Sequence, residues 1–370
     1  MKEAVTGLRS WAEIDVGALR HNLRALRGMA GPGVTLAPAV KANAYGHGVD
    51  IVAPAIAGEP GVVMLAVANV TEALELRAMG IRNRVLILSA CLREEVADII
   101  RGRFEAMVSG LEEVDWFERE AQRLGRPAHV HLKIDTGMGR LGIWHEEAMT
   151  LFERVRDAKM LRVAGVCTHF ARADDCAAFT KRQWRRFQKV RDLARSLWPK
   201  MTFHAANSGA LLKYRDAHCD IARPGIALYG SWPEPRFAGK LQPVMTWKAR
   251  VTMVREVARG RTLSYGATFT TKRAMRIGVV AVGYADGYAR AWSNRGAMLI
   301  RGHRCPVVGR VTMDQTLVDL TRAVAVRPGD EAVLLGRGLS AEDLAKGLGT
   351  ISYEIFTGVG PRVKRLAVGA

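Results

Sequence analysis

Cysteine is scarce in this chain of 370 residues, and its placement does not suggest cross-linking. The five cysteines are odd in number and scattered, with no CxxC motif, which argues against a disulfide framework or a zinc site. No apolar run approaches the roughly 20 residues that a membrane span needs. The opening residues, MKEAVTGLRSW, lack the apolar core and cleavage site of a secretion signal. We therefore expect a cytoplasmic protein that holds no metal ion and contacts no membrane.

Acidic residues are few relative to basic ones. The 36 Asp and Glu residues face 55 Lys and Arg residues, a net charge of +19, and this excess raises a nucleic-acid hypothesis because phosphates attract clustered cations. Residues 177–200 carry eight basic residues and one acidic residue, and residues 244–313 carry thirteen and two. The first segment has the apolar stripe of a helix with one solvated face. We therefore favour a basic protein surface and expect no nucleic-acid partner.

The chain also lacks internal repeats beyond an alternation of β-like and helix-like runs, which begins near residue 35. Eight strands separated by helices indicate a parallel sheet, and eight such units can close into a (β/α)8 barrel. An open doubly wound sheet is the alternative, but no GxGxxG motif follows the first strand. The predicted strands are Thr35–Lys41, Val62–Ala68, Arg84–Ser89, Glu105–Val108, His129–Asp135, Arg162–His169, Thr202–Ala206 and Asp220–Arg223.

A second region begins near Pro243. Residues 244–333 are rich in β-branched residues and glycine, and helix patterns are nearly absent until Ala341–Leu348. The intervening loop, SWPEPRFAGKLQP, has the proline and glycine content of a boundary. The sequence therefore predicts a barrel over residues 11–235 and a mostly-β domain over 236–370, with residues 1–10 packing against the latter.

Polar residues end several predicted barrel strands, which is the catalytic end of such barrels. Lys41 follows the apolar run of APAVKANAYGHG, where burial could lower its pKa and let it form a Schiff base with a carbonyl compound. Taken alone, it equally fits a surface lysine. Arg140 follows the strand of HLKIDTGMGRLG, which also contains Lys133. This arginine could grip a carboxylate or bond loop carbonyls.

Three further strand ends are polar. CTHFARADD contains His169, and FHAANSGA places Ser208 at a predicted helix start. IARPGIALYG contains Arg223, followed by Gly225 and Ile226, whose main-chain N–H groups could face an anion. These residues and Lys41 suit an anionic cofactor with a carbonyl group held by lysine. Pyridoxal 5′-phosphate has both features.

The predicted β-rich region contributes segments that are polar or aromatic where a β core would be aliphatic. A lone tyrosine beside a sheet is also typical of packing. The residues concerned are Tyr265 in TLSYGATF, Tyr284 and Arg290 in VGYADGYAR, Arg310, Met313 and Asp314 in GRVTMDQ, and Tyr353 in ISYEIFTGVGPRV.

Together these motifs resemble the alanine racemase family, the fold-type III pyridoxal-phosphate enzymes, from Ser10 to about Arg365. The motifs that carry the resemblance, in the family's order, are AVKANAYGHG, KIDTGMGRLG, THFARAD, ARPGIALYG, LSYGATF, VGYADG, GRVTMDQ and SYEIFTGVGPRV. The resemblance implies a homodimer with shared active sites that interconverts L-alanine and D-alanine and supplies D-alanine for peptidoglycan.

The resemblance also implies residue roles. Lys41 would hold pyridoxal phosphate and then act as the base on one face of the substrate, with Tyr265 of the partner subunit on the other. Arg223 would face the pyridine nitrogen, and His169 would link it to that tyrosine. The phosphate-binding positions would be Tyr45, Ser208, Gly225, Ile226 and Tyr353.

The remaining implied roles concern the substrate. Arg140 and the main chain of Met313 would bind its carboxylate, supported by Asp314 and by Lys133, which some family members carry as a carbamate. The entrance would be lined by Asp174, Tyr284, Arg290 and Arg310.

Arg223 favours racemisation on chemical grounds. A guanidinium stays protonated, so it leaves the ring nitrogen unprotonated, which weakens the electron sink and disfavours transamination. Related barrel decarboxylases are expected to place a carboxylate there. The sequence departs from many relatives at Thr312, where they carry cysteine. The change at Thr312 leaves a serine or broader-specificity racemase as an alternative. A related barrel decarboxylase, in which Tyr265 would be structural, is a separate alternative.

Overall fold

The computed structural model describes residues 5–232 and 239–369, and the chain separates into two compact units. One unit comprises residues 22–44 and 52–228 and is called the barrel unit here. The other comprises the chain up to residue 21, residues 45–51 and the chain from residue 229 onward, and is called the β-rich unit. The predicted boundary between residues 235 and 236 lies outside the described residues and stays a prediction.

The regular elements are as follows. The strands are β1 (Ser10–Asp15), β2 (Thr35–Leu36), β3 (Met64–Val67), β4 (Arg84–Ile87), β5 (Glu105–Val108), β6 (Ala128–Asp135), β7 (Ile143–Trp144), β8 (Leu161–Cys167), β9 (Phe203–His204), β10 (Ile221–Ala222), β11 (Met245–Val257), β12 (Thr262–Leu263), β13 (Phe269–Thr270), β14 (Met275–Val280), β15 (Ala297–Ile300), β16 (His303–Pro306), β17 (Thr316–Asp319), β18 (Glu331–Leu335) and β19 (Lys364–Val368). The helices are α1 (Val16–Ala30), α2 (Lys41–Tyr45), α3 (Val49–Ala57), α4 (Val70–Ala78), α5 (Val96–Arg101), α6 (Leu111–Leu124), α7 (Ala148–Arg156), α8 (Ala177–Leu197), α9 (Ser208–Lys213), α10 (Ala341–Leu348) and α11 (Ser352–Thr357).

Eight parallel strands of the barrel unit form a closed ring. β3, β4, β5, β6, β8 and β9 follow one another in one sheet, and β10 pairs with β2. A parallel bridge between Leu36 and Val62 connects β2 to the β3 side, and the Asp220 N–H donates to the Phe203 carbonyl at 3.1 Å to connect β10 to β9. An open sheet would leave two edges unpaired. The ring therefore confirms the predicted (β/α)8 barrel.

Apolar side chains from the strands fill the barrel interior. Each of the eight predicted strands overlaps an observed one, although β2 ends at Leu36 rather than Lys41, because Pro38 has no N–H to offer a neighbouring strand. A core cluster of this interior is formed by Ala37, Met64, Leu86, Met107, Cys167 and Ile221.

Amphipathic helices cover the strands. α8 buries Phe187, Val190 and Ala194 at helical spacing and leaves most of its basic residues exposed, as the sequence predicts. Among the described residues, no helix combines the length and the apolar character that crossing a bilayer requires.

The β-rich unit is built on one large sheet. Its strand order is β16, β15, β18, β11, β1 and β19, and β14 pairs with both β11 and β17. β1 runs antiparallel to β11 and parallel to β19, so the amino-terminal strand lies in this sheet. A core cluster comprises Val257, Leu263, Met275, Ile277 and Val308. These strands confirm the predicted mostly-β second domain.

Candidate active site

Lys41 begins a left-handed turn. The four residues after it, Ala42 to Tyr45, have φ angles of 52° to 54°, a conformation that costs about 1–2 kcal/mol per non-glycine residue. Glu72 holds the turn in place, because its carboxylate accepts the Ala42 N–H at 2.8 Å and the Ala68 N–H at 2.7 Å. The chain therefore turns immediately after Lys41, beyond the end of β2.

The Lys41 amine lies in an environment that disfavours its charge. Burial, and then the positive charge of Arg140, lower the pKa of Lys41, and the Glu72 carboxylate only partly opposes them. A larger fraction of this amine is therefore unprotonated near neutral pH than on an exposed lysine. An unprotonated amine is the form that attacks a carbonyl group.

Asp135 organises the loop that presents Arg140. Its carboxylate accepts the N–H groups of Gly137 and Met138 at 2.7 and 2.8 Å on one oxygen. The other oxygen accepts those of Gly139 and Arg140 at 2.7 and 3.2 Å. The loop main chain is thereby fixed, and the Arg140 residue is exposed. The sequence predicted site roles for Lys133 and Arg140, and the structure adds this role for Asp135.

Lys133 is buried on β6. Burial is the main cause that lowers its pKa to about 8, with the charges of Arg223 and Arg140 adding to it and Cys167 and Asp135 opposing it. A lysine with such a pKa is a substantial nucleophile near neutral pH. This is the chemical property that carbamate formation requires.

Arg223 lies at the end of β10 and is 5% exposed. Its guanidinium donates to the Thr168 carbonyl at 2.8 Å and contacts His169 Nδ1 at 3.3 Å. The structure thus places the predicted pair of Arg223 and His169 in contact. Burial lowers the pKa of Arg223, although the group remains a cation near neutral pH.

The charges around His169 show which site residues the barrel brings together. Burial lowers the pKa of His169 well below its usual value. The positive groups that lower it further are Arg223, Lys133, Arg140 and Lys41. Five of the predicted barrel residues are therefore close enough to act on one another electrostatically, and we call this group of side chains the cationic pocket.

Ser208 is the first residue of α9, which Asn207 caps through a bond from the Ala210 N–H to its side chain at 3.0 Å. The helix start predicted from the sequence is confirmed. The Ser208 hydroxyl accepts the N–H groups of Gly225 at 2.9 Å and Ala227 at 3.3 Å. Ser208, Gly225 and the adjoining Ile226 thus lie together.

Asp174 lies in the loop before α8, and its carbonyl accepts a short hydrogen bond from the Lys213 ammonium. Burial raises the pKa of its carboxyl group.

In the β-rich unit, the segments that carry Tyr265 and Arg310 are in contact. Tyr265 begins a 3-10 turn and is 73% exposed. The following residue, Gly266, has φ of 71°, and a Cβ there would lie 2.9 Å from the Arg310 guanidinium carbon. Ser264 Oγ donates to the Arg310 carbonyl at 2.6 Å. The motifs LSYGATF and GRVTMDQ are therefore packed against each other.

Tyr284 and Met313 form a second pair of neighbours. The Tyr284 N–H donates to the Thr312 carbonyl at 3.0 Å, and the Ala285 N–H donates to the Met313 carbonyl at 3.1 Å. Thr312 closes its own turn, because its hydroxyl donates to the Gln315 carbonyl at 2.8 Å. The threonine that departs from the family pattern thus shapes the turn that presents Met313.

Asp314 and Arg290 lie on the surface near these segments. Asp314 accepts a hydrogen bond from Arg362 at 2.8 Å, and the same guanidinium lies 3.2 Å from Asp286. Arg290 begins a 3-10 turn, and the Arg290 carbonyl accepts a hydrogen bond from Ser293 Oγ at 2.6 Å. These bonds fix the loops that carry the predicted entrance residues of this unit.

Tyr45 and Tyr353 also meet within the β-rich unit. Their ring centroids are 5.9 Å apart, and the ring centroid of Tyr229 lies 5.0 Å from that of Tyr45. Burial raises the pKa of Tyr45 to about 12, so its hydroxyl keeps its proton and can donate a hydrogen bond.

The structure adds residues that sequence reasoning missed. His204 contacts the Arg223 guanidinium at 2.5 Å. His131 contacts His204 in turn, and Glu105 contacts His131. The sequence feature that could have identified them is the presence of polar side chains within short strands that are otherwise apolar. Among the residues that the structure describes, no three His, Cys, Asp or Glu side chains are grouped so as to hold a metal ion.

Known proteins match this chain over nearly its whole length. The family model "Alanine racemase, N-terminal domain" matches residues 14–233, and "Alanine racemase, C-terminal domain" matches residues 244–367. An alanine racemase from Carboxydothermus hydrogenoformans is 42% identical over 367 residues, which cover 97% of this chain and 99% of that protein. An alanine racemase from Methylacidiphilum infernorum is 40% identical over 361 residues, which cover 96% of this chain and 92% of that protein.

Solved structures give the same result. Alanine racemase from Streptomyces coelicolor A3(2) superimposes with a TM-score of 0.92 at 39% identity, covering 99% of this chain and 100% of that one. Alanine racemase from Bartonella henselae, solved with covalently bound pyridoxal phosphate, superimposes with a TM-score of 0.89 at 29% identity. The match covers 98% of this chain and 100% of that one. The chain therefore belongs to the alanine racemase family of pyridoxal-phosphate-dependent isomerases acting on amino acids.

Proposed function

We propose that this protein interconverts L-alanine and D-alanine with pyridoxal phosphate as its cofactor. The observation that carries the proposal is the cationic pocket of the barrel unit. It combines an amine of lowered pKa at Lys41 with the fixed guanidinium of Arg223 and the loop arginine Arg140. Such a pocket suits an anionic cofactor, a carbonyl group and an amino-acid carboxylate together.

The residues present fit pyridoxal phosphate. Lys41 would bind it covalently, and Arg223, which has no lone pair to accept a proton, would face its ring nitrogen. When bound, this cofactor supplies an electron sink that acidifies the α-hydrogen of an amino acid. The residues that would hold its phosphate are Tyr45, Ser208, Gly225, Ile226 and Tyr353.

Racemisation requires a proton to leave one face of the α-carbon and another to reach the opposite face. In the proposed two-base scheme, the Lys41 amine serves one face and the phenol of Tyr265 of the partner subunit serves the other. Tyr265 is 73% exposed in the single chain, and this exposure supports a homodimer in which a partner barrel covers it. Two bases on opposite faces avoid moving one side chain across the cofactor plane.

The substrate carboxylate would meet Arg140 and the main chain of Met313. Asp135 supports this assignment, because its four hydrogen bonds fix the loop of Arg140. The pKa of about 8 for Lys133 supports a carbamate at this lysine, and Asp314 would support the Met313 turn. The entrance would be lined by Asp174, Tyr284, Arg290 and Arg310. The D-alanine formed in the cytoplasm would enter peptidoglycan.

The test is a chiral assay of the purified protein with added pyridoxal phosphate. We expect L-alanine and D-alanine to interconvert to an equal mixture, and Lys41→Ala to lose both the activity and the cofactor absorbance. Lys159→Ala, at an exposed barrel lysine, is the control and should match the parent. Faster racemisation of serine, lysine or arginine would instead support the broader-specificity alternative, and release of carbon dioxide would support the decarboxylase.

A further inference from the structure

Behind Arg223, a continuous chain of polar side chains crosses the barrel interior. Arg223 Nη1 lies 2.5 Å from His204 Nδ1, and His204 Nε2 lies 2.8 Å from His131 Nδ1. His131 Nε2 lies 2.7 Å from Glu105 Oε2, and Arg84 binds the same carboxylate through two nitrogens at 2.5 and 2.8 Å. Both histidines are fully buried and Glu105 is 6% exposed. The chain therefore connects the pocket to Arg84 at the barrel's opposite end.

The hydrogens of this chain can point in only one direction. Arginine only donates hydrogen bonds, so His204 Nδ1 must accept from Arg223, and the proton of a neutral His204 must be on Nε2. His204 Nε2 then donates to His131 Nδ1, which leaves the His131 proton on Nε2. The His131 Nε2–H then donates to the Glu105 carboxylate, which can only accept.

The charges agree with this arrangement. Burial lowers the pKa of His131, and it lowers the pKa of His204 well below its usual value, so both rings are neutral. Burial favours the neutral form of Glu105, but bonds from His131 and Arg84 outweigh it and lower its pKa to about 2. The charged and titratable groups that act on the two rings are Glu105, Arg84, Arg223 and Lys133.

The fold leaves space for this chain. Gly165 on β8 lies opposite His131 in the strand register. A Cβ at residue 165 would lie 2.6 Å from His131 Nδ1, closer than side chains pack. A glycine at this position thus permits the ring to reach His204.

We propose that Glu105 and His131 are positioning residues that fix the tautomer of His204 and, through it, the direction of the Arg223 guanidinium. The inference rests on the proposed function, in which Arg223 faces the cofactor's ring nitrogen. With the opposite tautomer, the His204 Nδ1–H would face the Arg223 N–H at 2.5 Å. Two donors cannot share that distance, so the guanidinium would turn away from its position.

The first experiment is ¹⁵N NMR of the histidine rings in the holoenzyme. We expect His204 to carry its proton on Nε2 in the parent and in Glu105→Gln, whose amide oxygen still accepts from His131. In Glu105→Leu and Gly165→Ala, the Nδ1 tautomer should become populated. Glu118→Gln, at another buried barrel carboxylate that accepts main-chain N–H groups, is the control. A His204 tautomer that is the same in all five proteins would overturn the proposal.

The second experiment measures kcat/KM against pH in the same proteins. We expect Glu105→Leu to lose about tenfold to a hundredfold, as an unsatisfied buried donor implies, and Glu105→Gln to recover most of that loss. Equal losses in Gln and Leu would show a merely structural role and would contradict the proposal.

Arg84→Gln tests the charge argument separately. Without the Arg84 cation, His131 should take up a proton more readily and donate it toward His204, which would then present Nδ1–H to Arg223. The acidic limb of the pH profile should therefore move to higher pH, and an unmoved limb would contradict the proposal. If the parent fails to racemise alanine, the proposed function is wrong, whereas the NMR tautomers still decide whether the chain is ordered.

Discussion

Some candidate site residues of the two units lie in opposite environments. In the barrel unit, Lys133 and Arg223 are almost fully buried, and the Arg223 guanidinium contacts His204 and the Thr168 carbonyl. In the β-rich unit, Tyr265, Tyr284 and Met313 are 73%, 43% and 52% exposed. They stand on or beside short turns that follow strands rather than inside a core.

This difference indicates that the candidate residues of the two units depend on different physical effects. Burial changes the pKa of lysine and histidine side chains, and the barrel uses this effect at Lys41, Lys133 and His169. Tyr265, Tyr284 and Met313 stay exposed in their own chain. This exposure supports the proposed homodimer, in which a second surface would bury them.

Replacing the exposed phenol should give the largest effect. Tyr265→Phe removes the proposed proton carrier without changing the turn, so alanine racemisation should fall about 10²–10⁴-fold, as for a lost general acid–base. Cofactor absorbance should stay as in the parent, since Lys41 is intact. Tyr214→Phe is the matched control in the barrel unit. An unchanged rate in Tyr265→Phe would rule out the two-base scheme.

Burial of Lys133 should appear in the pH dependence of stability. Its pKa is about 8 in the folded protein against an ordinary value of 10.5. Between these values the unfolded chain binds one more proton, so the free energy of unfolding should rise with pH by about 3 kcal/mol. In Lys133→Met, the free energy of unfolding should not show this rise with pH.

The measurement is urea unfolding between pH 7 and 10.5 in buffer freed of carbon dioxide, with which a neutral amine reacts. Lys159→Met, at an exposed position, should keep the parent's slope. A parent curve that is no steeper than that of Lys133→Met would show that burial does not depress this amine.

The smallest of the three effects is expected at Asp135. Asp135→Asn keeps one oxygen as an acceptor but turns an NH₂ group toward the N–H groups of Gly139 and Arg140, which loosens the loop. We expect KM for alanine to rise about tenfold with a smaller change in kcat, because an unmade buried hydrogen bond costs about 1–3 kcal/mol.

Asp220→Asn is the control for this variant, since Asp220 accepts a main-chain N–H from Phe203 away from Arg140. Steady-state kinetics separate the two outcomes. A fall in kcat with an unchanged KM would contradict a role for the loop in holding the substrate carboxylate.

Sequence reasoning found the elements and motifs because they are local. The alternation of strands and helices predicted all eight barrel strands, and Asn207 before SGALL predicted the start of α9. It could not find the hydrogen bonds that support the site. Asp135 appeared only as a strand residue, and His204 and His131 are 73 positions apart in the chain.

The sequence by itself determined the fold class, the family and the identity of the candidate residues, since periodicity and motif order are written along the chain. Only the tertiary structure decided which partners tune them. The pKa of Lys133 and the direction of Arg223 depend on groups from different strands. Burial and charge act through space over a few ångströms, so residues distant in sequence set them, and no local pattern records the distance.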